Sequence, residues 1–223
     1  MEIKLSEEII EKIPNFKVGI IVYKNITVAE SPQMIRGRLQ LFQESIYFDL
    51  ENKNVTELSG IQEWRNIFKI YGKDPNRYRP SVEALYRRVQ KQNFLSSIQS
   101  ATDINNFFSL QYQVPIGIYD LDNLNGAISI RLGTEEEEYT GLNGRINSLN
   151  RLIVSSDNVG AFGSPFVDSD RAPVTFATQN ALQVIYLRPS TDVEKSMRLT
   201  ESLMNMFIQI HGGEASFQII RCP

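Results

Sequence analysis

The sequence predicts a single-domain α+β protein with mixed or antiparallel sheets in layers and flanking helices. Three observations predict it. Apolar residues recur at helical spacing through the first half. After Ile116 the chain breaks into short β-branched runs separated by glycine and asparagine. A capped helix and one more strand then close it. The 223 residues are 42% hydrophobic and 22% charged, enough for one sizeable core. No repeat, low-complexity segment or linker divides them.

Ser6-Glu7-Glu8 opens a short helix whose Ile9, Ile10 and Ile13 face inward until Pro14 stops it. Residues 17–23, KVGIIVY, read as a buried strand. Residues 31–71 read as largely helical, around Met34, Leu39, Leu41, Phe42 and Ile46 and then Ile61, Trp64, Ile67, Phe68 and Tyr71. Residues 50–59 form a polar break between them. A turn cluster fills 72–76. Pro80-Ser81 starts a helix with Val82, Leu85 and Val89 inward and Arg87, Arg88 and Lys91 toward solvent. A second helix over 103–110 ends before Pro115. Five strands follow: IGIYDL, GAISIRL, RLIVSS, VTFAT and ALQVIYL. Thr191-x-x-Glu194 reads as a capping box for the last helix. Its apolar stripe is Val193, Met197, Thr200, Leu203, Met204, Phe207 and Ile210. His211 ends it before Gly212-Gly213, and residues 216–221 form a closing strand. The single domain 1–223 thus comprises an N-terminal α/β segment (1–71) packed on the core, a central segment (77–180) and a strand-helix-strand (181–223).

Several function classes are excluded. The opening MEIKLSEEIIEKIP does not resemble a signal peptide, and no apolar run approaches the roughly 20 residues of a membrane span. The expected location is cytoplasmic, with no membrane partner. One cysteine, Cys222, permits no intrachain disulfide, and one histidine, His211, cannot build a zinc site. No metal and no cofactor is expected. No GxxxxGK[ST] occurs, and Gly160-Ala-Phe-Gly163-Ser-Pro lacks the spacing of a dinucleotide fingerprint. The run from Asp120 to Gly126 reads as a turn rather than a calcium loop, since no glutamate closes it. Acid–base chemistry would fall to carboxylates or lysine, and Asp157, Asp168 and Asp170 lie in a glycine-, proline- and serine-rich stretch.

The net charge of −3 speaks against wrapping a nucleic-acid duplex, so no DNA duplex is expected as a partner. Residues 65–91 nevertheless concentrate eight lysines and arginines against Asp74 and Glu83. Arg77, Arg79, Arg87, Arg88 and Lys91 are the candidate RNA contacts.

Arg79-Pro-Ser-Val-Glu-Ala-Leu-Tyr-Arg-Arg-Val, Thr102-Asp-Ile-Asn-Asn, Pro115-Ile-Gly-Ile-Tyr-Asp-Leu-Asp and Gly126-Ala-Ile-Ser-Ile-Arg follow one another. Their order and spacing resemble the third and fourth domains of the phenylalanyl-tRNA synthetase β subunit, its editing and tRNA-binding module. Leu142-Asn-Gly144 and Asp157 continue the likeness more loosely, over about 77–180. In that family the module hydrolyses tRNA mischarged with tyrosine, in a pocket beside an Asp-x-Thr-Asn segment, a Pro-Leu-His segment and a glycine-rich turn. Carried over, Asn105 and Asn106 take the Thr-Asn positions, Pro115 keeps its proline, and Gly117 stands where the family has histidine, two residues before Tyr119. Gly160 and Gly163 match the glycine-rich turn, and Asp168 or Asp170 the acidic residue that reads the tyrosine hydroxyl. The resemblance implies the module without its synthetase: a trans-acting hydrolase of mischarged aminoacyl-tRNA. A non-catalytic module for tRNA or a free amino acid is the alternative. Glycine in place of the histidine is expected to leave a void and relax selectivity for tyrosine.

Overall fold

All six residues of Ala181–Tyr186 are buried, which an alternating strand achieves only inside a sheet covered on both faces. The computed structural model describes residues 2–221, and Cys222 lies outside them. In order the elements are β1 (Ile3–Leu5), α1 (Glu7–Lys12), β2 (Lys17–Lys24), α2 (Gln33–Asp49), α3 (Ser59–Ile70), α4 (Ser81–Gln90), α5 (Ser100–Tyr112), β3 (Ile116–Asp120), β4 (Ile128–Leu132), β5 (Glu138–Thr140), β6 (Ile146–Ser148), β7 (Ile153–Ser156), β8 (Ala161–Gly163), β9 (Ala181–Tyr186), α6 (Val193–His211) and β10 (Glu214–Arg221).

The central sheet has the order β10-β2-β9-β3 and is antiparallel throughout. A second sheet, β1-β4-β7-β8, is mixed, because β1 pairs with β4 in parallel while the other ladders are antiparallel. A β5–β6 ribbon stands apart. The period-2 alternation of β9 divides the core between two layers. Ala181 and Ile185 join a cluster with Ile21, Tyr23 and residues of α2, α4, α5 and α6. Leu182, Val184 and Tyr186 join Ile128, Ile130, Val154 and Phe162 of the second sheet, with Trp64 and Phe68 of α3. The architecture is therefore helices on one face of a central antiparallel sheet and a mixed sheet on the other: an α+β fold. Among the described residues no helix is long and apolar enough to cross a membrane.

Three local expectations need correction. The run VTFAT is a loop, tied to the end of β3 by the Thr178 hydroxyl, which donates to the Asp120 carboxylate at 2.6 Å. Thr175 and Thr178 side chains bond neighbouring backbone N–H groups and curl it into a turn. The cap of α6 is Asp192, whose carboxylate accepts from the Lys195 N–H at 2.7 Å, so the helix starts one residue later than the Thr191 box implies. In α2 the buried face is Ile35, Leu39, Gln43 and Ile46, leaving Met34 and Leu41 exposed. His211 is enclosed: its ring nitrogens meet the Phe207 carbonyl and the Ser100 hydroxyl at 2.8 Å, and burial pulls its pKa down.

Candidate functional site

Two helices turn matching stripes toward one hollow. Ser81, Ala84, Leu85 and Arg88 of α4, and Thr102, Asn105, Asn106 and Ser109 of α5, each follow the i, i+3, i+4, i+7 spacing of one helix face. With Ile116 and Ile118 of β3 they line a cavity of about 760 Å³. Loop residues Ser164, Phe166, Val167, Asp168, Val174 and Phe176 complete the wall, with Leu142 and Asn143 at its edge. The volume suits a ligand larger than a free amino acid. Asp103 holds the rim beside Ile98 and Gln99: its buried carboxylate accepts from Ser31 at 2.5 Å, from the Ser97 hydroxyl and from the Ile98 N–H at 3.0 Å.

Asn105 is already committed. Its amide donates to the Ile116 carbonyl at 2.9 Å and accepts from Gln183 at 3.0 Å, and Gln183 in turn accepts from the Tyr23 hydroxyl at 2.8 Å. Asn106, one position on, has no side-chain hydrogen bond among the described residues and lines the cavity. It offers both a donor and an acceptor to a ligand.

Asp168 is the site's distinctive group. The Tyr119 hydroxyl donates to its Oδ1 at 2.6 Å and the Ser164 N–H donates to the same oxygen at 3.3 Å, while Oδ2 has no partner among the described residues. Burial raises its pKa to about 7 against those two hydrogen bonds. The same burial, with the Asp168 charge, pushes the Tyr119 phenol well above its usual range. The cavity thus holds a carboxyl that changes charge near neutral pH.

Six sequence-selected residues lie outside the cavity wall. The strand alternation that turns Ile116 and Ile118 into the cavity turns Gly117 and Tyr119 to the opposite face. No void exists at Gly117: a Cβ there would lie 2.0 Å from the Tyr119 hydroxyl oxygen, and one on Gly163 would also lie 2.0 Å from it. Tyr119 fills the space and reaches Asp168 between two glycine backbones. Pro115 is taken up in the β3–β9 ladder, its carbonyl accepting from the Tyr186 N–H at 3.0 Å. Gly160 belongs to a turn built on Asp157, whose carboxylate pairs with Arg171 at 2.9 Å. Asp170 is exposed, its N–H donating to the Thr140 carbonyl at 3.0 Å. Gly163→Ala is expected to displace the Tyr119 ring and cost about 1–3 kcal/mol through overpacking, read by urea unfolding and by the loss of the Tyr119 near-ultraviolet signal. Unchanged stability would mean that Tyr119 lies elsewhere.

The basic segment is less uniform than its composition. Arg65, Arg79 and Arg87 converge on the fully buried Glu83 at 3.0, 3.6 and 2.8 Å, which ties Arg79 and Arg87 into the fold. Arg88 and Lys91 are exposed, Arg88 at the cavity mouth. Arg77 joins a cluster that the sequence does not announce. Lys73 and Arg77 both lie over the Tyr78 ring, at 4.3 and 5.5 Å, and Tyr78 meets Phe166 of the cavity wall. Burial, and then the charges of Arg77 and Arg151, pull the Lys73 ammonium pKa down. Among the described residues no group of three or more His, Cys, Asp or Glu could hold a metal ion.

Residues 63–205 match the family model of the B3/4 domain. YhzB of Bacillus subtilis, an uncharacterized protein, is 35% identical over 213 residues, with 96% of each chain covered. The phenylalanine–tRNA ligase β subunit of Fusobacterium nucleatum is 29% identical over 107 residues, 47% of this chain and 13% of that one. That of Pectobacterium atrosepticum is 31% identical over 108 residues, 47% and 14% respectively. The match thus spans about one seventh of those ligase subunits. A solved N-terminal fragment of the phenylalanyl-tRNA synthetase β-subunit from Pyrococcus horikoshii has a TM-score of 0.49 at 15% identity, with 96% of this chain and 50% of that one covered.

Proposed function

The chain belongs to the B3/4-domain family, and on that premise we propose that it binds the aminoacylated end of a tRNA and hydrolyses the ester of a mischarged one in the cytoplasm. The observation that carries this reading is the cavity between α4, α5 and β3. Its apolar side is formed by Leu85, Ile98, Ile116, Ile118, Val174 and Phe176, and its polar groups are Asp168, Asn106 and Arg88.

The chemistry needs little machinery, since an ester activated by its ribose reacts once water is positioned and the developing charge is met by donors. Asp168, ionised above about pH 7, accepts a proton through Oδ2 from a water that attacks the ester carbonyl. The carbon–oxygen bond to the ribose breaks, and the proton passes to the departing ribose oxygen. The Asn106 amide donates to the carbonyl oxygen as it gains charge. Arg88 at the mouth, and the Lys73, Arg77 and Arg151 cluster behind Phe166, offer cations to the phosphates of the acceptor end. Arg79 and Arg87 serve Glu83 instead.

A second reading, binding without catalysis to tRNA or a free amino acid, is favoured by one detail. Oδ1 of Asp168 already takes two hydrogen bonds, which suits a fixed acceptor for a ligand ammonium as well as a base. Release of amino acid from a panel of mischarged tRNAs separates the two. The hydrolase reading expects turnover that falls about 10-fold or more in Asn106→Ala, with unfolding unchanged, as for the loss of an oxyanion donor. Retention of charged tRNA with no release selects the binding reading. Neither release nor retention rejects both.

A further inference from the structure

Helix α2 carries an apolar stripe that the fold does not use. Met34, Leu41 and Phe48 are 59, 69 and 68% exposed and lie seven residues apart. That spacing keeps them on one face, the seam along which two helices pair. The buried face of the same helix, with Ile35, Leu39 and Ile46, is already satisfied by the core.

Gly37 is the second observation. It sits in the interior of a 17-residue helix, where glycine is weaker than alanine, and a Cβ on it would meet nothing within 4 Å. Nothing inside the molecule calls for a glycine there. It stands one turn before Leu41 on the exposed stripe, with the small, exposed Ser45 one turn after. A gap flanked by large apolar knobs is the hole that a facing helix fills.

We propose that α2 pairs antiparallel with α2 of a second copy, about a twofold axis at Leu41. On that axis the two Leu41 side chains meet, and Met34 lies level with Phe48 of the second copy. That Phe48 packs beside Gly37. Charge fits the antiparallel sense. Arg38 and Asp49 are both exposed and flank the stripe on the same side. The twofold axis brings Arg38 of one helix to within roughly 7 Å, along the axis, of Asp49 on the other. Side chains on a helix lean toward its own N-terminus, so in antiparallel helices these two lean toward each other. The interface is small, so the dimer is weak and reversible.

The position of Leu41 on the axis makes the test sharp, because each substitution there meets itself. Sedimentation equilibrium of the full chain from about 1 to about 100 µM, the range for a small interface, is expected to show a monomer–dimer equilibrium. Leu41→Glu and Leu41→Lys should each be monomeric, with unchanged melting since the residue is exposed, and their equimolar mixture should dimerise again. Arg38→Asp should weaken the wild-type dimer, and Arg38→Asp with Asp49→Arg should restore it. A wild-type chain that stays monomeric throughout overturns the proposal. So does a dimer indifferent to Leu41→Glu, or a pair of charge variants that does not recombine. A wild-type monomer that binds another protein through this face would equally exclude the second copy. None of these outcomes bears on tRNA deacylation, which uses the cavity of α4 and α5.

Discussion

Replacing Asp168 by asparagine is expected to remove deacylation by about 100-fold or more, the usual contribution of a positioned base. It should also abolish a pH step in the wild-type rate. Burial holds this carboxyl near pH 7, so a base role requires the rate to rise with pH through about 7 and level off above it. A residual rate in Asp168→Asn with the same step would assign the titration to another group. Stability provides a reading independent of activity. The folded pKa of about 7 exceeds the ordinary carboxylate value of 3.8, so between those limits the folded chain holds more protons than the unfolded one. Asp168 therefore makes the protein less stable as pH climbs from about 4 to about 7, with no further loss above. Asp168→Asn lacks this titration and gains on the wild type over that window. Unfolding in urea at pH 5 and pH 8 measures the difference between the two proteins, and an equal difference at both pH values would place the carboxyl in water.

The second large effect belongs to Glu83. Its side chain is fully buried and receives both oxygens' worth of contact from Arg65 at 3.0 Å, together with Arg87 at 2.8 Å. The Arg65 side chain is itself only 14% exposed. Glu83→Ala would leave that guanidinium without its anion in a site it cannot leave, at a cost of about 3–5 kcal/mol. Glu83→Gln keeps the shape and part of the hydrogen bonding and should cost less. Urea unfolding of the two variants tests this, and a loss below about 1 kcal/mol for Glu83→Ala would show the pair to be a solvated one. The carboxylate fixes α3 to α4, and through α4 it fixes the cavity wall at Leu85 and Arg88. A destabilised Glu83 variant should therefore also bind ligand poorly, without touching it.

Composition and local pattern carried a good share of the fold. Residues 17–23 are a run of β-branched and apolar side chains, and such a run has few uses other than a buried strand. Pro80-Ser81 and the 3.6-residue period behind it define α4 within the chain itself. VTFAT misleads because its composition is that of a strand while its threonines bond their own backbone. The outward stripe of α2 misleads in the other direction: at the level of sequence, apolar residues on two faces of a helix look like one wider buried face.

By itself, the sequence determined the α+β class, the positions of α4, α5, β2 and β9, the helix-end setting of His211, and the exclusion of cysteine- and histidine-based sites. These follow from short-range periodicity, capping and residue counts, which no distant contact can change. The tertiary structure alone decided which side chains share a space. Asn105, Asn106 and Asp168 reach one cavity although 62 residues separate the last two. Gly117, beside them in the chain, faces away because a strand reverses direction at every residue. It also decided charge. Glu83 takes up arginines from α3, from α4 and from the segment just before α4, so that part of a basic segment in the sequence is spent on an internal carboxylate, while Lys73, Arg77 and Arg151 meet as cations only in space. Burial and neighbouring charge set the state of an ionisable group, and both are properties of the folded surroundings rather than of the residue.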